Sequence, residues 1–210
     1  AIELEDTDPY TYRIALMANQ IKVLFGEEGD NLERFAMMSQ ASQAEADKFF
    51  IERFRSGKWQ RTGIIWWNLI DGWPQFSDAV VDYYYTKKLA FNVIKRCQEP
   101  ICLMFREPED NKLSLVAAND TRLSAEIEYE VIDYTDSKTV TTGKAILGAN
   151  SANEVCSIEA KNDKTHYYLI KWKLNGKEFK NYYVCGNAPY SFDEYYKFMM
   201  DNGLWETDGF

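Results

Sequence analysis

Histidine is almost missing from this chain. His166 is the only one in 210 residues, and the four cysteines (Cys97, Cys102, Cys156 and Cys185) show no C-x-x-C spacing. A structural zinc centre needs closely spaced His and Cys ligands, so none is expected. Buried free thiols are the default for the cysteines, with a Cys156–Cys185 cross-link between strands as the alternative. Basic residues are also scarce: 24 Lys and Arg against 33 Asp and Glu leave a formal net charge of -9. With no basic cluster, neither nucleic acid nor an anionic membrane is an expected partner. No apolar run approaches the ~20 residues of a membrane span. The opening residues, A-I-E-L-E-D-T-D-P, are acidic and carry no signal-peptide pattern, so the chain reads as a mature or excised segment.

What is abundant is apolar and aromatic: 46% of residues are hydrophobic, and 14 Tyr, 12 Phe and 6 Trp make 15% aromatic. That composition forms a core. The pattern changes near Glu99-Pro100. Before it, helical periods dominate. Asp8-Pro9 suits a helix start, and Ile14, Met17, Ala18, Ile21, Leu24 and Phe25 follow as one apolar face, ended by Gly26 to Gly29. A second helix is expected over about Leu32–Arg55, with Phe35, Met38, Ala46, Phe49 and Phe50 inward and Ser56-Gly57 as its stop. A third runs about Thr86–Gln98, with Ala90, Val93, Ile94 and Cys97 buried and Lys87, Lys88, Lys95 and Arg96 wet. After Pro100 the period is two. Strands are expected at Ile101–Phe105, Leu113–Ala118, Ala125–Ile132, Lys138–Ile146, Glu154–Ala160, Tyr167–Leu174 and Lys177–Val184, with Asn175-Gly176 as the strongest hairpin signal. Seven short strands predict an antiparallel sandwich of immunoglobulin-like kind. The tail Ser191–Asp201 returns to helical spacing, with Phe192, Tyr195, Tyr196 and Met199 on one face.

Between the second and third helices lies Gly63–Pro74, G-I-I-W-W-N-L-I-D-G-W-P. Ile64, Ile65, Trp66 and Trp67 read as a short buried strand, and Asp71, Gly72, Trp73 and Pro74 as the turn that ends it. Two readings stand: a core strand with structural Trp residues, or a strand delivering Trp and carboxylate side chains at its C-terminal end, as α/β barrels do in their active sites. A single strand makes no sheet, so this half is incomplete alone.

Gly63–Pro74, with Ser77, Asp82-Tyr83-Tyr84, Lys88 and Lys95-Arg96 behind it, resembles the end of the catalytic barrel in glycoside hydrolase family 2, in its β-mannosidase-like branch. There the last strand reads roughly G-x-x-Y-W-Q-L-N-D-x-W-P. Trp67, Leu69, Asp71, Trp73 and Pro74 stand at the fixed positions, while Trp66, Asn68 and Ile70 replace the pattern's Tyr, Gln and Asn. The resemblance implies an α/β plus all-β fold: residues 1–99 as the last helices and strand of a (β/α)8 barrel, and residues 100–210 as an immunoglobulin-like antiparallel β-sandwich with a short C-terminal helix. It implies part of a retaining exo-acting β-glycosidase that takes a terminal β-mannoside, β-galactoside or β-glucuronide and uses no cofactor. Family 2 enzymes carry a Glu acid/base and a Glu nucleophile on earlier strands, so no catalytic carboxylate is expected in this chain, and the piece alone should be inactive. The resemblance leans towards an extracytoplasmic compartment, periplasmic or secreted.

Trp67 is then the first substrate-binding candidate, at the floor of the subsite holding the cleaved sugar. Trp73 follows, as a sugar contact or a seal of the barrel end. Asp71 either bonds a sugar hydroxyl, orients a catalytic neighbour or accepts turn amides. Asn68 falls opposite Trp67 in an alternating strand, which makes it a poorer ligand. Asp82, Tyr83 and Tyr84 read as loop braces, Asp78 as a solvated charge, His166 as structural, and Glu3 with Glu5 as a solvated leader. The expected partners are a carbohydrate substrate and the remainder of the barrel, and uncovered barrel faces would promote self-association. The alternative is a non-catalytic carbohydrate-binding or interaction module, for which Tyr167 offers one exposed ring.

Overall fold

The computed structural model describes residues 11–209; Asp8-Pro9 and the Glu3 and Glu5 pair lie outside the described residues. Three helices come first, α1 (Thr11–Phe25), α2 (Leu32–Ser56) and α3 (Leu89–Cys97). In α1 the expected face is the one that packs: Ile21 and Phe25 are buried and Met17, Ala18 and Leu24 half-buried. Asn31 caps α2, its side-chain oxygen accepting from the Arg34 amide at 2.9 Å, which satisfies one of the donors a helix start leaves free.

The inward face of α2 differs from the expected one. Met38, Ala41, Ala44, Lys48, Ile51, Glu52 and Ser56 are buried, while Ala46, Phe49 and Phe50 face solvent. An apolar count misses this face because half of it is ionic. Lys48 Nζ lies 2.6 Å from Glu52 Oε2 one turn later, and the ammonium sits 4.8 Å from the Tyr182 ring centroid. Asn181 donates to Glu52 Oε1 at 2.6 Å and to the Leu103 carbonyl at 2.8 Å. Each charge is thus buried with its partners in place, the condition under which burial is tolerated. Helix α3 begins three residues later than expected, because Asp82 Oδ1 accepts the amides of Tyr84 and Thr86 and holds that stretch as a turn. Its stripe of Ala90, Val93, Ile94 and Cys97 is buried as expected.

Seven strands follow: β1 (Ile101–Phe105), β2 (Lys112–Asn119), β3 (Ala125–Asp133), β4 (Lys138–Leu147), β5 (Ser151–Glu159), β6 (His166–Leu174) and β7 (Lys177–Cys185). They form two antiparallel sheets, ordered β1-β2-β5 and β4-β3-β6-β7. The expected sandwich is therefore present. Asn175 and Gly176 take φ of 50° and 80° at the β6–β7 hairpin, the left-handed pair its two-residue turn requires. Between the sheets, Tyr168, Ile170 and Trp172 of β6 meet Leu103, Leu113 and Leu115 of the facing sheet. Gly143 stands opposite Tyr129 in the β3–β4 register, and a Cβ there would lie 2.6 Å from the Tyr129 hydroxyl.

The other face of β6 corrects the exposed-tyrosine expectation. Tyr167 is 2% exposed and stacks on Phe198 of the last helix, α4 (Phe192–Asp201), at 5.1 Å between ring centroids. Tyr167 and Leu169 belong to the core shared with α1–α4, together with Tyr182. Farther along, Lys171 and Lys173 stand opposite Glu130 and Glu128, and Glu128 pairs Lys144. One sheet face is thus apolar where helices cover it and charged where water does. The segment after α4 returns to α3: Arg96 donates to the Leu204 carbonyl at 2.7 Å and Asn92 to that of Glu206 at 2.9 Å, so Arg96 is not on a wet side. All four cysteines are free, Cys156 and Cys185 lying in different sheets.

The strand expected at Ile64–Trp67 is extended chain without a ladder of its own. The segment is fastened by amide bonds from Val80 to the Asn68 carbonyl and from Val81 to that of Leu69, at 3.1 and 2.9 Å. Ile64 and Trp66 are half-buried, but Ile65 is 95% exposed. A strand buried on both faces needs neighbours on both edges, and no barrel is formed among the described residues.

The α2–sandwich seam yields a stability prediction. Lys48→Met leaves Glu52 buried without its counter-charge and should cost about 3–5 kcal/mol in urea unfolding. Lys48→Met with Glu52→Gln should recover most of that loss, because the amide oxygen still accepts from Asn181.

Candidate functional site

The extended segment alternates. Ile64, Trp66 and Asn68 turn toward the protein, while Trp67 and Trp73 project outward at 77% and 64% exposure. Asn68 is inward of Trp67, as alternation predicts, and its side-chain oxygen is buried without a partner. Asp71 does not project. It is 5% exposed, its Oδ1 accepts from Gln75 Nε2 at 2.9 Å and from the Ser77 hydroxyl, and its amide donates to the Val81 carbonyl at 3.1 Å. Its Oδ2 has no hydrogen-bond partner and lies 3.7 Å from Lys88 Nζ. Lys88 Nζ in turn donates to the Ser77 carbonyl at 3.3 Å. Burial pulls the Lys88 ammonium below its ordinary pKa, a shift that Asp71 and Asp82 oppose. The carboxylate thus closes the 71–77 loop, and Trp73 sits on that loop.

Trp67 stands at the edge of an open groove of about 1610 Å³ that runs along α2, with Asp47, Phe49, Phe50, Ser77 and Asp78 in its walls. Two of its carboxyls are perturbed. Glu45 Oε1 accepts from the Tyr182 and Tyr195 hydroxyls at 2.5 and 2.7 Å; burial pushes its pKa up, against the pull of Lys48 and both hydroxyls. Asp47 is raised from 3.8 to about 6, by burial first and by the charge of Asp78 second. Asp78 itself is exposed, as expected of a solvated loop charge, and its backbone carbonyl accepts from Gln43 Nε2 at 2.6 Å. Tyr83 and Tyr84 are exposed and pack edge to face, 5.3 Å between centroids.

A second cluster lies at the far end of the sandwich. Asp133, Asp136 and His166 bring ligand atoms within 4.8 Å of one another, a spacing a metal could use. Lys161 already fills it, with Nζ 2.8 Å from Asp133 Oδ2 and bonded to Asp136. His166 is fully buried, Nδ1 at 2.9 Å from Asp133 and Nε2 at 3.0 Å from Asp163. The arrangement is an ionic knot pinning the β3 end to β6, with the structural role expected of His166.

Gln75, Lys88, Asp47 and Glu45 are the residues that sequence reasoning passed over as site components. The spacing of Asp71 to Gln75 and Ser77 carries a local turn signal. Lys88 and the groove carboxyls are brought in by packing across the chain, which no local pattern encodes.

No family model matches the chain. Among curated proteins, Beta-mannosidase B of Aspergillus terreus is 30% identical over 123 residues, 49% of this chain and 14% of that protein. Beta-mannosidase B of Aspergillus flavus is 29% identical over 134 residues, 62% of this chain and 15% of the relative. The chain is thus similar to β-mannosidases, in line with its resemblance to glycoside hydrolase family 2. It spans about one seventh of the length of these curated relatives. The fold agrees. Beta-D-mannosidase from Dictyoglomus thermophilum superposes with a TM-score of 0.72 at 23% identity, over 84% of this chain and 22% of that one. The exo-chitosanase of Amycolatopsis orientalis gives 0.65 at 21% identity, over 81% and 21%.

The groove predicts a pH effect. The folded pKa of Asp47, about 6, lies above its ordinary 3.8, so the fold favours the neutral form. Its contribution to stability is full below about pH 4 and is lost as pH rises through 6. Asp47→Asn should therefore stabilise the chain at pH 7.5 relative to wild type, by roughly 1 kcal/mol after solvent screening, and have little effect at pH 4. Thermal melts at the two pH values measure the difference.

Proposed function

We propose that this segment completes the catalytic barrel of a retaining, exo-acting β-glycosidase of β-mannosidase-like specificity, and supplies one wall of the subsite that holds the terminal sugar. The observation that carries the reading is the pose of Trp67: an indole held outward at the rim of a groove, on a segment whose backbone is fastened from behind by Val80 and Val81. An indole face offers the flat apolar surface on which the C–H face of a sugar ring packs. The names of the curated relatives and of the Dictyoglomus structure support a β-mannoside as the substrate class.

In this reading residues 1–99 are the last part of the barrel and residues 100–210 the sandwich behind it. The Glu acid/base and Glu nucleophile come from earlier strands of the same barrel. They would stand ~5–5.5 Å apart across the glycosidic bond, as retaining hydrolysis requires. Phe49, Phe50, Ile65 and Leu69, exposed here, would be covered by the rest of the barrel. Without it they would promote self-association. Tyr167 lies under α4 and so is not the exposed ring that a non-catalytic sugar-binding module would need.

The test is hydrolysis of 4-nitrophenyl β-mannoside. The 210-residue chain alone should show no turnover, and the longer hydrolase containing it should cleave the substrate with retention. In that enzyme Trp67→Ala should lower kcat/KM by about 10- to 100-fold, the worth of one stacking face at ~1–3 kcal/mol, with little change in melting temperature. An unchanged kcat/KM would remove Trp67 from the subsite.

A further inference from the structure

From the Asp71 geometry we infer that Asp71 is a positioning residue that sets the pose of Trp73 through Ser77, Gln75 and Lys88, and is not itself a sugar ligand; the inference rests on the sugar-wall reading above. A carboxylate that reads a sugar hydroxyl must present a free oxygen to the groove. Neither oxygen of Asp71 does. Oδ1 is occupied by Ser77 and Gln75, and Oδ2 is buried with Lys88 Nζ as its nearest cation, at 3.7 Å. The contacts bind the loop at both ends. The Asp71 amide is tied to Val81, the carboxylate reaches residues 75 and 77, and Ser77 Oγ accepts the Ala79 amide at 3.0 Å. Lys88, the N-cap residue of α3, grips the same loop through the Ser77 carbonyl. Trp73 and Pro74 lie inside this closed loop, among its exposed residues 72–76. The loop's shape, and with it the angle of the Trp73 ring, therefore depends on one buried carboxylate. A buried charge needs its counter-charge and donors together, so Asp71, Ser77, Gln75 and Lys88 act as a unit.

The experiment is a double-mutant cycle in the full-length hydrolase, read as KM for 4-nitrophenyl β-mannoside. Partial unfolding lowers the active fraction and the apparent kcat but leaves KM alone, so KM separates positioning from a purely structural role. Trp73→Ala should raise KM about tenfold, Asp71→Asn should raise it by a similar factor, and the pair together should be no worse than Trp73→Ala alone. Lys88→Met, which keeps the loop's hydrogen bonds to Asp71 Oδ1, should raise KM in the same direction and also fail to add to Trp73→Ala. If the Asp71→Asn and Trp73→Ala effects multiply, Asp71 contacts the sugar directly and the inference is overturned. If Asp71→Asn lowers only kcat, its role is structural and the inference is again overturned. If Trp73→Ala leaves KM unchanged, Trp73 is not part of the sugar wall, and the inference falls with that residue even where Trp67→Ala still impairs the enzyme.

Discussion

In the seam between the helical layer and the sandwich lies a buried ion pair. Lys48 and Glu52 lie on the inward face of α2, and Asn181 of β7 completes them by bonding both Glu52 and the Leu103 carbonyl of β1. Taking two charges out of water is expensive, and a well-packed apolar pair would often be as stable. What the ionic version adds is direction. Glu52 and Lys48 are satisfied in one rotational setting of α2, whereas Met38, Ala41 and Ala44 alone would tolerate others. The setting decides everything in front of the helix. It turns Phe49 and Phe50 outward, places Asp47 against the groove, and leaves Gln43 within reach of the Asp78 carbonyl. At the C-terminal end of α2 the same fastening continues, with Arg55 donating to the Glu99 carbonyl and pairing Asp120.

How far the sequence could be read depended on whether the deciding contacts were local. The sandwich was legible because its strands alternate between two fixed surroundings and are punctuated by turns such as Asn175-Gly176. The exception is informative. Tyr167–Ile170 is buried on both faces, and alternation returns only at Lys171. The change marks where helices stop covering the sheet, and a period-two reading applied to all of β6 misses it. Helix α2 was placed correctly to within one residue, but its face was not. Lys48 and Glu52 look like solvated charges until Asn181, 129 positions beyond Glu52 in sequence, is brought beside them.

The Trp-rich segment shows a different limit. Its composition is that of a doubly buried strand, and its outward residues are exposed for want of neighbours among the described residues. Periodicity still told which side chains share a side: Trp67 out, Trp66 and Asn68 in. What it could not tell was that Asp71 turns back into the protein. A carboxylate beside two indoles reads naturally as a ligand, and only the positions of Ser77 and Lys88 show where its oxygens are spent. The lesson is general for sites built from short loops. Residue type points to the neighbourhood, and hydrogen-bond partners assign the role.

The return of residues 204–206 onto α3 has a consequence in time. Arg96 finds its Leu204 acceptor 108 positions downstream. A chain emerging from the ribosome at ~5–20 residues per second would therefore expose that side of α3 for several seconds before its cover is made. The entire sandwich is synthesised in that interval. The helix that follows the Trp turn is in this sense finished last, and the sandwich serves as the spacer that brings its covering strap back to it.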